Sequence, residues 1–316
     1  MQWNDRIGRR LKLRDLHILL AVAQCGNMSK AARQLSVSNP VVTKAISDLE
    51  HALDVRLLDR TPSGAELTIY GRALLDRGIA VFDELRQAVK NIEFLANPTA
   101  GEVRIACSLA TGIGFVTAVI ERLSRRFPRI VFDVLSGPEA DARRALEERT
   151  VDLVIGRMFA LIAEDHLSAE VLYDDPFVVA AGMRNPWVRR RKIELAELVN
   201  DPWVLPPADS PFGFVIKEAF HAAGLAVPPS TVIVSAVPMR NALLASGRFL
   251  TIVPSSVLRF SADKPAYKAL SIELPIARRP IGVLTLKNRM LNPLAQCFID
   301  CARDIAKPLA RKNSIR

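Results

Sequence analysis

The sequence predicts an α+β chain of several domains, helical at its start and alternating strand with helix afterwards. Three observations carry that expectation. Residues 27–50 read as two short helices joined by a tight bend, residues 69–96 run as one long helix without proline, and from Val103 the apolar pattern turns into short strands separated by helices. At 316 residues the chain is too long for a single typical core. Half of it is hydrophobic and about a quarter charged, the balance of an ordinary folded protein.

Charge gives only general guidance. The formal net charge is +10, but the excess is spread along the chain, with 14 Lys or Arg against 11 acids in residues 1–96 and 29 against 22 in the remainder. A polyanionic partner is favoured, and local placement has to carry the argument. The basic residues near the start precede no apolar run, so no secretory signal is expected, and no stretch approaches the roughly 18 apolar residues of a membrane span. Four cysteines in a chain this long suggest a reducing compartment and thus the cytoplasm. Cys297 and Cys301 lie one helical turn apart, and with four scattered histidines they make no metal site, so no metal or cofactor is expected.

A first helix, Leu13 to Cys25, carries Leu16, Leu19, Leu20 and Val22-Ala23 on its buried side. The small pair Ala31-Ala32 lets the next helix sit close, and Leu35 and Val37 fill the inside of the bend. Ser38 is placed to cap the following helix, and Pro40 falls in its first turn, where a missing N–H is harmless. Val41, Ala45, Ile46 and Leu49 then point inward at helical spacing, leaving Asn39, Thr43, Lys44 and Ser47 to point outward. An amphipathic hairpin of no special function would share this periodicity. A helix-turn-helix that reads the major groove of DNA also needs the outward hydrogen-bonding side chains seen here.

Short extended pieces at Leu57-Leu58 and Glu66–Thr68 flank the turn residues Pro62, Ser63 and Gly64, which suggests a small β-wing. Arg56, Arg60 and Arg72 are positioned to meet phosphates or a minor groove, or simply form a solvated basic loop. In the long helix from Ile69 to Ala96, Leu75, Phe82, Val89 and Ala96 repeat every seven residues, with Leu85 and Ile92 at the complementary positions. That seam predicts a dimerisation helix. Gly78 interrupts it, and packing onto its own domain is the competing account.

Residues 97–102, beginning Asn97-Pro98-Thr99-Ala100-Gly101, are expected to form a hinge. Beyond it the pattern gives a strand at Val103–Cys107, a helix from Thr111 to Phe127, a strand at Ile130–Leu135, a helix at Glu139–Arg149 and a strand at Val151–Ile155. This alternation predicts a parallel sheet covered by helices. A second such unit follows, with strands near Phe177–Ala181, Val204-Leu205, Thr231–Val234 and Leu250–Val253, and helices near Phe212–Ala223 and Pro238–Ser246. Ile281–Leu286 and a last helix from Pro293 to about Ala306 return to the first unit. The resulting division is 1–70 for the DNA-binding domain, 71–96 for the linker helix, 97–102 for the hinge and 103–316 for a two-lobed domain. Its first lobe takes about 103–173 plus 267–307, and its second about 174–266.

With these residues in place, the chain resembles a LysR-type transcriptional regulator over essentially its whole length. The resemblance is carried by Leu16 with Ala21-Val22-Ala23, by the run from Met28 to Leu35, and by Ser38-Asn39-Pro40-Val41-Val42-Thr43-Lys44-Ala45-Ile46. Leu49-Glu50, Leu57-Leu58-Asp59-Arg60 and Leu67-Thr68-Ile69-Tyr70-Gly71 continue it, and Asp152–Gly156 and Gly247–Pro254 are similar to the family's sensor signatures. Three positions depart from the family pattern: Asp54 stands where Gly is usual, Leu58 where Phe is usual, and Asn39 where Gln is commonest. The resemblance implies a winged helix-turn-helix followed by an α/β two-lobed sensor of the type 2 periplasmic-binding-protein-like fold. It also implies double-stranded promoter DNA as partner, a small-molecule effector, a homotetramer built as a dimer of dimers, and RNA polymerase as a further partner of an activator. On the family's binding mode, Asn39, Pro40, Thr43 and Lys44 would read bases, while Ser38, Lys30, Arg33 and Arg60 would hold phosphate or the adjoining minor groove.

Ligands of such lobes bind at the carboxyl ends of strands. Those points are Ser108–Thr111, Gly156-Arg157, Pro207–Pro211 and Pro238-Met239, so Ser108, Thr111, Arg157, Ser210 and Met239 are the candidate effector residues. Hydroxyls beside a helix N-terminus, with Arg157 to pair, favour an anionic effector such as a sugar acid or an aromatic acid. Gly156-Arg157-Met158 and Leu205–Ser210 are similar to a subgroup linked to sugar-uptake genes. The Arg184–Lys192 cluster reads as a solvated face, and Cys107 as a buried thiol rather than a redox sensor. An enzyme is disfavoured because no Gly-x-x-x-x-Gly-Lys, Gly-x-Ser-x-Gly or metal-ligand spacing occurs, and Gly112-Ile113-Gly114 lacks a third glycine. The alternative is a solute-binding module or small-molecule enzyme whose helical domain does not bind DNA.

Overall fold

The computed structural model describes residues 10–61, 64–158, 165–260, 266–276 and 279–312. It divides into two compact units, Met1–Lys90 and Asn91–Arg316.

In the first unit, helices α1 (Leu13–Cys25), α2 (Met28–Gln34) and α3 (Asn39–Leu53) surround a core of Ile18, Leu19, Val22, Ala31, Ala32, Val42, Ala45, Ile46 and Leu49. Val42, not Val41, is the inward residue of the first turn of α3, because positions 42, 45, 46 and 49 form one stripe at helical spacing; Val41 packs at its margin. Gly26 ends α1 in the left-handed conformation, and Asp54 ends α3 at φ 58°. That geometry explains why glycine is the usual residue at the second position. The Glu50 carboxylate accepts hydrogen bonds from Leu57 N (2.8 Å) and Leu58 N (3.3 Å), fixing the turn that leads into the wing.

The wing pairs β1 (Leu58–Thr61) antiparallel with β2 (Gly64–Leu67). Its turn residues Pro62 and Ser63 lie outside the described residues. A Cβ at Gly64 would stand 2.2 Å from the Gly26 carbonyl, so the wing seats directly on the turn between α1 and α2. Helix α4 (Ile69–Ala96) has 28 residues, about 42 Å of rise. Gly78 lies against Leu16 and Leu20 of α1, and the Phe82 ring meets His17 at 5.6 Å. The interruption of the heptad seam is therefore a packing site. Further along, Leu85, Val89 and Ile92 remain exposed.

The second unit holds two five-stranded sheets. The first contains β3 (Ala100–Cys107), β4 (Arg129–Ser136), β5 (Leu153–Arg157), β6 (Leu167–Asp174) and β12 (Pro280–Leu286), in the order β4-β3-β5-β12-β6. The second contains β7 (Phe177–Gly182), β8 (Trp203–Leu205), β9 (Ser230–Ile233), β10 (Leu250–Pro254) and β11 (Tyr267–Ala269), in the order β11-β7-β10-β8-β9. Each is mixed rather than purely parallel: β12 runs antiparallel to both β5 and β6, and β7 antiparallel to β10 and β11.

Three more expectations need correction. Strand β3 begins at Ala100 and pairs with β4 from there, so residues 100–102 belong to the sheet and only Asn97–Thr99 remain as a connection. Strand β11 pairs with β7, and Leu270 and Leu274 pack in the second core, so the second lobe extends past residue 266 and the return to the first begins at Pro280. The single helix expected from Thr111 to Phe127 is built as α5 (Leu109–Thr111), a π-helical segment (Gly112–Val116) and α6 (Thr117–Arg126). In that segment a Cβ on Gly114 would lie 3.0 Å from the Ser256 carbonyl, and the Phe115 ring packs tilted against Tyr173 and edge-on against Phe260. The remaining helices are α7 (Glu139–Glu147), α8 (Pro211–Ala222), α9 (Val237–Ala245), α10 (Ser255–Arg259) and α11 (Pro293–Lys312).

Candidate nucleic-acid interface and ligand cleft

The outward face of α3 presents Asn39, Pro40, Thr43, Lys44 and Ser47, all exposed, over a stripe of Val42, Ala45, Ile46 and Leu49 that is at most 4 % exposed. Among the described residues the side chains of Asn39, Thr43 and Lys44 make no internal hydrogen bond or ion pair. Their polar groups point into solvent, fully available to a base edge. Pro40 sits in the first turn as expected.

Ser38 occupies the N-cap position of α3, but its hydroxyl makes no capping bond. The first turn is held instead by the Ser38 carbonyl, which accepts from Val41 N (3.0 Å) and Val42 N (3.3 Å). The side-chain cap in this motif belongs to Asn27, whose Oδ1 accepts from Ser29 N (2.9 Å) and Lys30 N (3.2 Å) at the start of α2. An Asn directly before a helix is the signal that would have found it. Lys30 and Arg33 are exposed on α2 and flank the bend. Arg56 and Arg72 are also exposed, near the base of the wing, where the Thr68 hydroxyl donates to the Arg56 carbonyl at 2.7 Å. Arg60 lies on β1, and its side chain is outside the described residues.

In the second unit the five candidate effector residues divide. Ser108 follows β3 and caps α5, accepting from Thr111 N at 3.3 Å, while the two hydroxyls lie 2.8 Å apart. These two come together in one turn. Ser210 caps α8, accepting from Gly213 N (3.0 Å) and donating to the Pro207 carbonyl (2.6 Å). Met239 is exposed in the first turn of α9.

Arg157 does not serve as a free anion anchor. Its Nη1 donates to the carbonyls of Asp175 (2.8 Å) and Arg279 (2.9 Å), its Nη2 to Asp175 Oδ2 (2.8 Å), and its guanidinium lies 4.4 Å from the centre of the Phe177 ring. The same carboxylate accepts from Ser255 Oγ (3.1 Å), Ser256 N (2.8 Å) and Ser256 Oγ (2.8 Å). Burial lowers the Arg157 pKa and the Asp175 charge opposes that shift. The pair thus joins β5 of the first sheet to the segments entering and leaving the second. Sequence spacing gave no sign of it, because Asp175 and Ser255-Ser256 are remote along the chain. Nearby, burial pushes the Glu139 carboxyl up against the opposing pull of Arg143 and Arg157. Cys107 is fully buried, and desolvation raises its thiol pKa despite a hydrogen bond with Ser136, an environment that disfavours a reactive thiolate. Among the described residues no His, Cys, Asp or Glu cluster could hold a metal ion, and no helix is long and apolar enough to cross a membrane.

Comparison with known proteins bears on both units. A family model described as "Bacterial regulatory helix-turn-helix protein, lysR family" matches residues 13–72, and one described as "LysR substrate binding domain" matches residues 96–307. The HTH-type transcriptional regulator GbpR of Azospirillum brasilense is 27 % identical over 307 residues, covering 93 % of this chain and 86 % of its own length. The crystal structure of ArgP from Mycobacterium tuberculosis is 18 % identical with a TM-score of 0.67, covering 95 % of this chain and 98 % of that one. Full-length CbnR, solved in complex with its target DNA, is 22 % identical with a TM-score of 0.53, covering 94 % and 100 %. The two structures share the fold of this chain.

Proposed function

The chain belongs to the LysR family of bacterial transcriptional regulators, and from that premise we propose that it reads an interrupted palindromic promoter site with α3 and couples that reading to a small-molecule effector. It is a DNA-binding regulator with an effector-binding domain and not an enzyme; its relatives are transcriptional regulators. The observation that carries the finer reading is the row of exposed, internally unbonded side chains at Asn39, Thr43 and Lys44 above the buried stripe of α3. Asn39 is suited to donate to and accept from an adenine edge, Lys44 to reach a guanine, and Pro40 to press on a thymine methyl. Ser38, with its hydroxyl free of any capping bond, joins Lys30, Arg33 and Arg60 at the phosphates.

The effector is assigned to the turn of Ser108 and Thr111, with Ser210 and Met239 contributed by the second lobe. With Arg157 already paired to Asp175, the preference for an anionic effector rests on the hydroxyl pair of Ser108 and Thr111. Binding shifts the population of two assembled states by holding them with unequal affinity. The assembly is a homo-oligomer, a dimer of dimers acting in the cytoplasm, and RNA polymerase is a further partner where the outcome is activation. The test is binding of the full chain to the DNA immediately upstream of its own gene, against scrambled DNA, at two salt concentrations. Preference for the native fragment that survives the higher salt supports the reading. Equal, salt-labile binding to both fragments counts against specific recognition of that site.

A further inference from the structure

The second lobe carries a concave groove of about 620 Å³ that neither DNA reading nor effector binding uses. Arg189, Arg190 and Arg191 line it together with Lys268 and Ala269 of β11 and the exposed Met183. The basic run is exposed, as a solvated face would be, and it also forms part of the lining of this groove. Arg190 is braced, its Nη1 3.5 Å from Glu197 and its guanidinium 5.1 Å from the centre of the Trp187 ring. Arg189, Arg191 and Lys268 form no ion pair or side-chain hydrogen bond among the described residues. Like charges converging on a concavity raise its potential and favour an anionic guest.

The backbone says what kind of guest. Strand β11 is the outermost strand of its sheet. The ladder to β7 includes Met183 N donating to the Ala266 carbonyl (2.9 Å) and Leu270 N donating to the Val179 carbonyl (2.8 Å). Bonded pairs in an antiparallel ladder recur at every second residue, so Lys268 faces β7 as well. Tyr267 and Ala269 therefore turn their N–H and C=O groups to the open edge, and Ala269 is also one of the residues that line the groove. A phosphate or a small carboxylate offers acceptors only and leaves the Ala269 carbonyl unmet. A polypeptide offers both a donor and an acceptor.

We propose that this groove docks an extended acidic segment of a partner protein, which adds as a strand beside β11 at Ala269 and places its carboxylates against Arg189, Arg191 and Lys268. The docking needs neither DNA nor effector, so it stands or falls apart from the promoter reading.

The experiment is fluorescence anisotropy of the full chain with a labelled ten-residue peptide of alternating Glu and Val. The companion probes are the same peptide with Lys in place of Glu, an N-methylated form that cannot pair along one edge, and a random-sequence DNA duplex. The acidic peptide is expected to bind, the Lys peptide not to bind, and N-methylation to weaken binding about tenfold. The double substitution Arg189→Glu and Lys268→Glu is expected to weaken the acidic peptide by at least about tenfold while leaving duplex binding and the circular dichroism spectrum unchanged. Absence of acidic-peptide binding, binding insensitive to N-methylation, or loss of duplex affinity matching that of the peptide would each overturn the proposal, the last by making the groove a nucleic-acid surface.

Discussion

At the scale of single residues, the two units use polar side chains in opposite ways. The Asp175 carboxylate accepts four hydrogen bonds, from Arg157, Ser255 Oγ, Ser256 N and Ser256 Oγ, in a site where it is 1 % exposed. Removing its charge leaves the buried Arg157 cation without its counterion, the situation in which breaking one partner of a buried pair is severe. Asp175→Asn is therefore expected to destabilise the chain by about 3–5 kcal/mol in urea denaturation. A loss below about 1 kcal/mol would show that the hydrogen bonds alone hold the joint. Asn39 is the reverse case, an exposed amide with no internal partner. Asn39→Ala is expected to leave stability unchanged and to weaken binding to the true operator by about 1–3 kcal/mol, with little change on random DNA. Equal losses on both DNAs, read by anisotropy, would assign Asn39 to phosphate rather than to a base.

At the scale of elements, two glycines of one helix answer to different neighbours. A Cβ at Gly71 would stand 2.1 Å from the Leu57 carbonyl oxygen, which is backbone already fixed by the bond it accepts from Thr68 N (3.0 Å). A Cβ at Gly78 would meet side chains rather than backbone, Leu16 Cδ1 at 3.0 Å, Leu16 Cγ at 3.2 Å and Leu20 Cδ1 at 3.2 Å. Gly71→Ala is expected to cost about 1–3 kcal/mol or more through overpacking. For Gly78→Ala, the helix-propensity gain of about 1 kcal/mol offsets the small shift of two leucines, and thermal denaturation should place it near wild type. The same helix shows what sequence reading can reach. The extents of α1 and α4 are legible because a long apolar stripe at helical spacing, free of proline, specifies a helix and nothing else. Strand β6 is not legible, because the bulge opposite Ile281 and Gly282 leaves Val171 exposed and buries Leu172 and Tyr173 consecutively, erasing the alternation. Strand β11 has only three residues, and the π-helical turn at Gly112–Val116 changes hydrogen bonding without altering the apolar period enough to be read. The exposed polar face of α3 is legible because it lies within one helix. The Arg157 joint is hidden because its partners come from three separate segments.

At the scale of the whole molecule, α4 leaves an apolar stripe uncovered. Val81, Leu85, Val89 and Ile92 are 42, 46, 53 and 66 % exposed, at spacings of three and four residues along one side of the helix. Scattered exposed hydrophobes are ordinary, but a continuous row over three turns marks a contact surface. A second copy of α4 related by a two-fold axis would cover it with the same residues, and the geometry that joins the helices would also set the spacing of two reading heads. The paired change Val89→Glu and Ile92→Glu puts two like charges into that seam from each protomer while touching neither the α1 packing at Gly78 and Phe82 nor the face of α3. It is expected to lower the mass in sedimentation equilibrium without changing the circular dichroism spectrum. Affinity for an isolated half-site should persist, whereas affinity for the full site should fall toward the half-site value, since the second contact is then no longer tethered to the first. An unchanged mass would mean that the stripe is covered by something other than a second α4, and the spacing of the reading heads would then have to be set through the effector-binding domains.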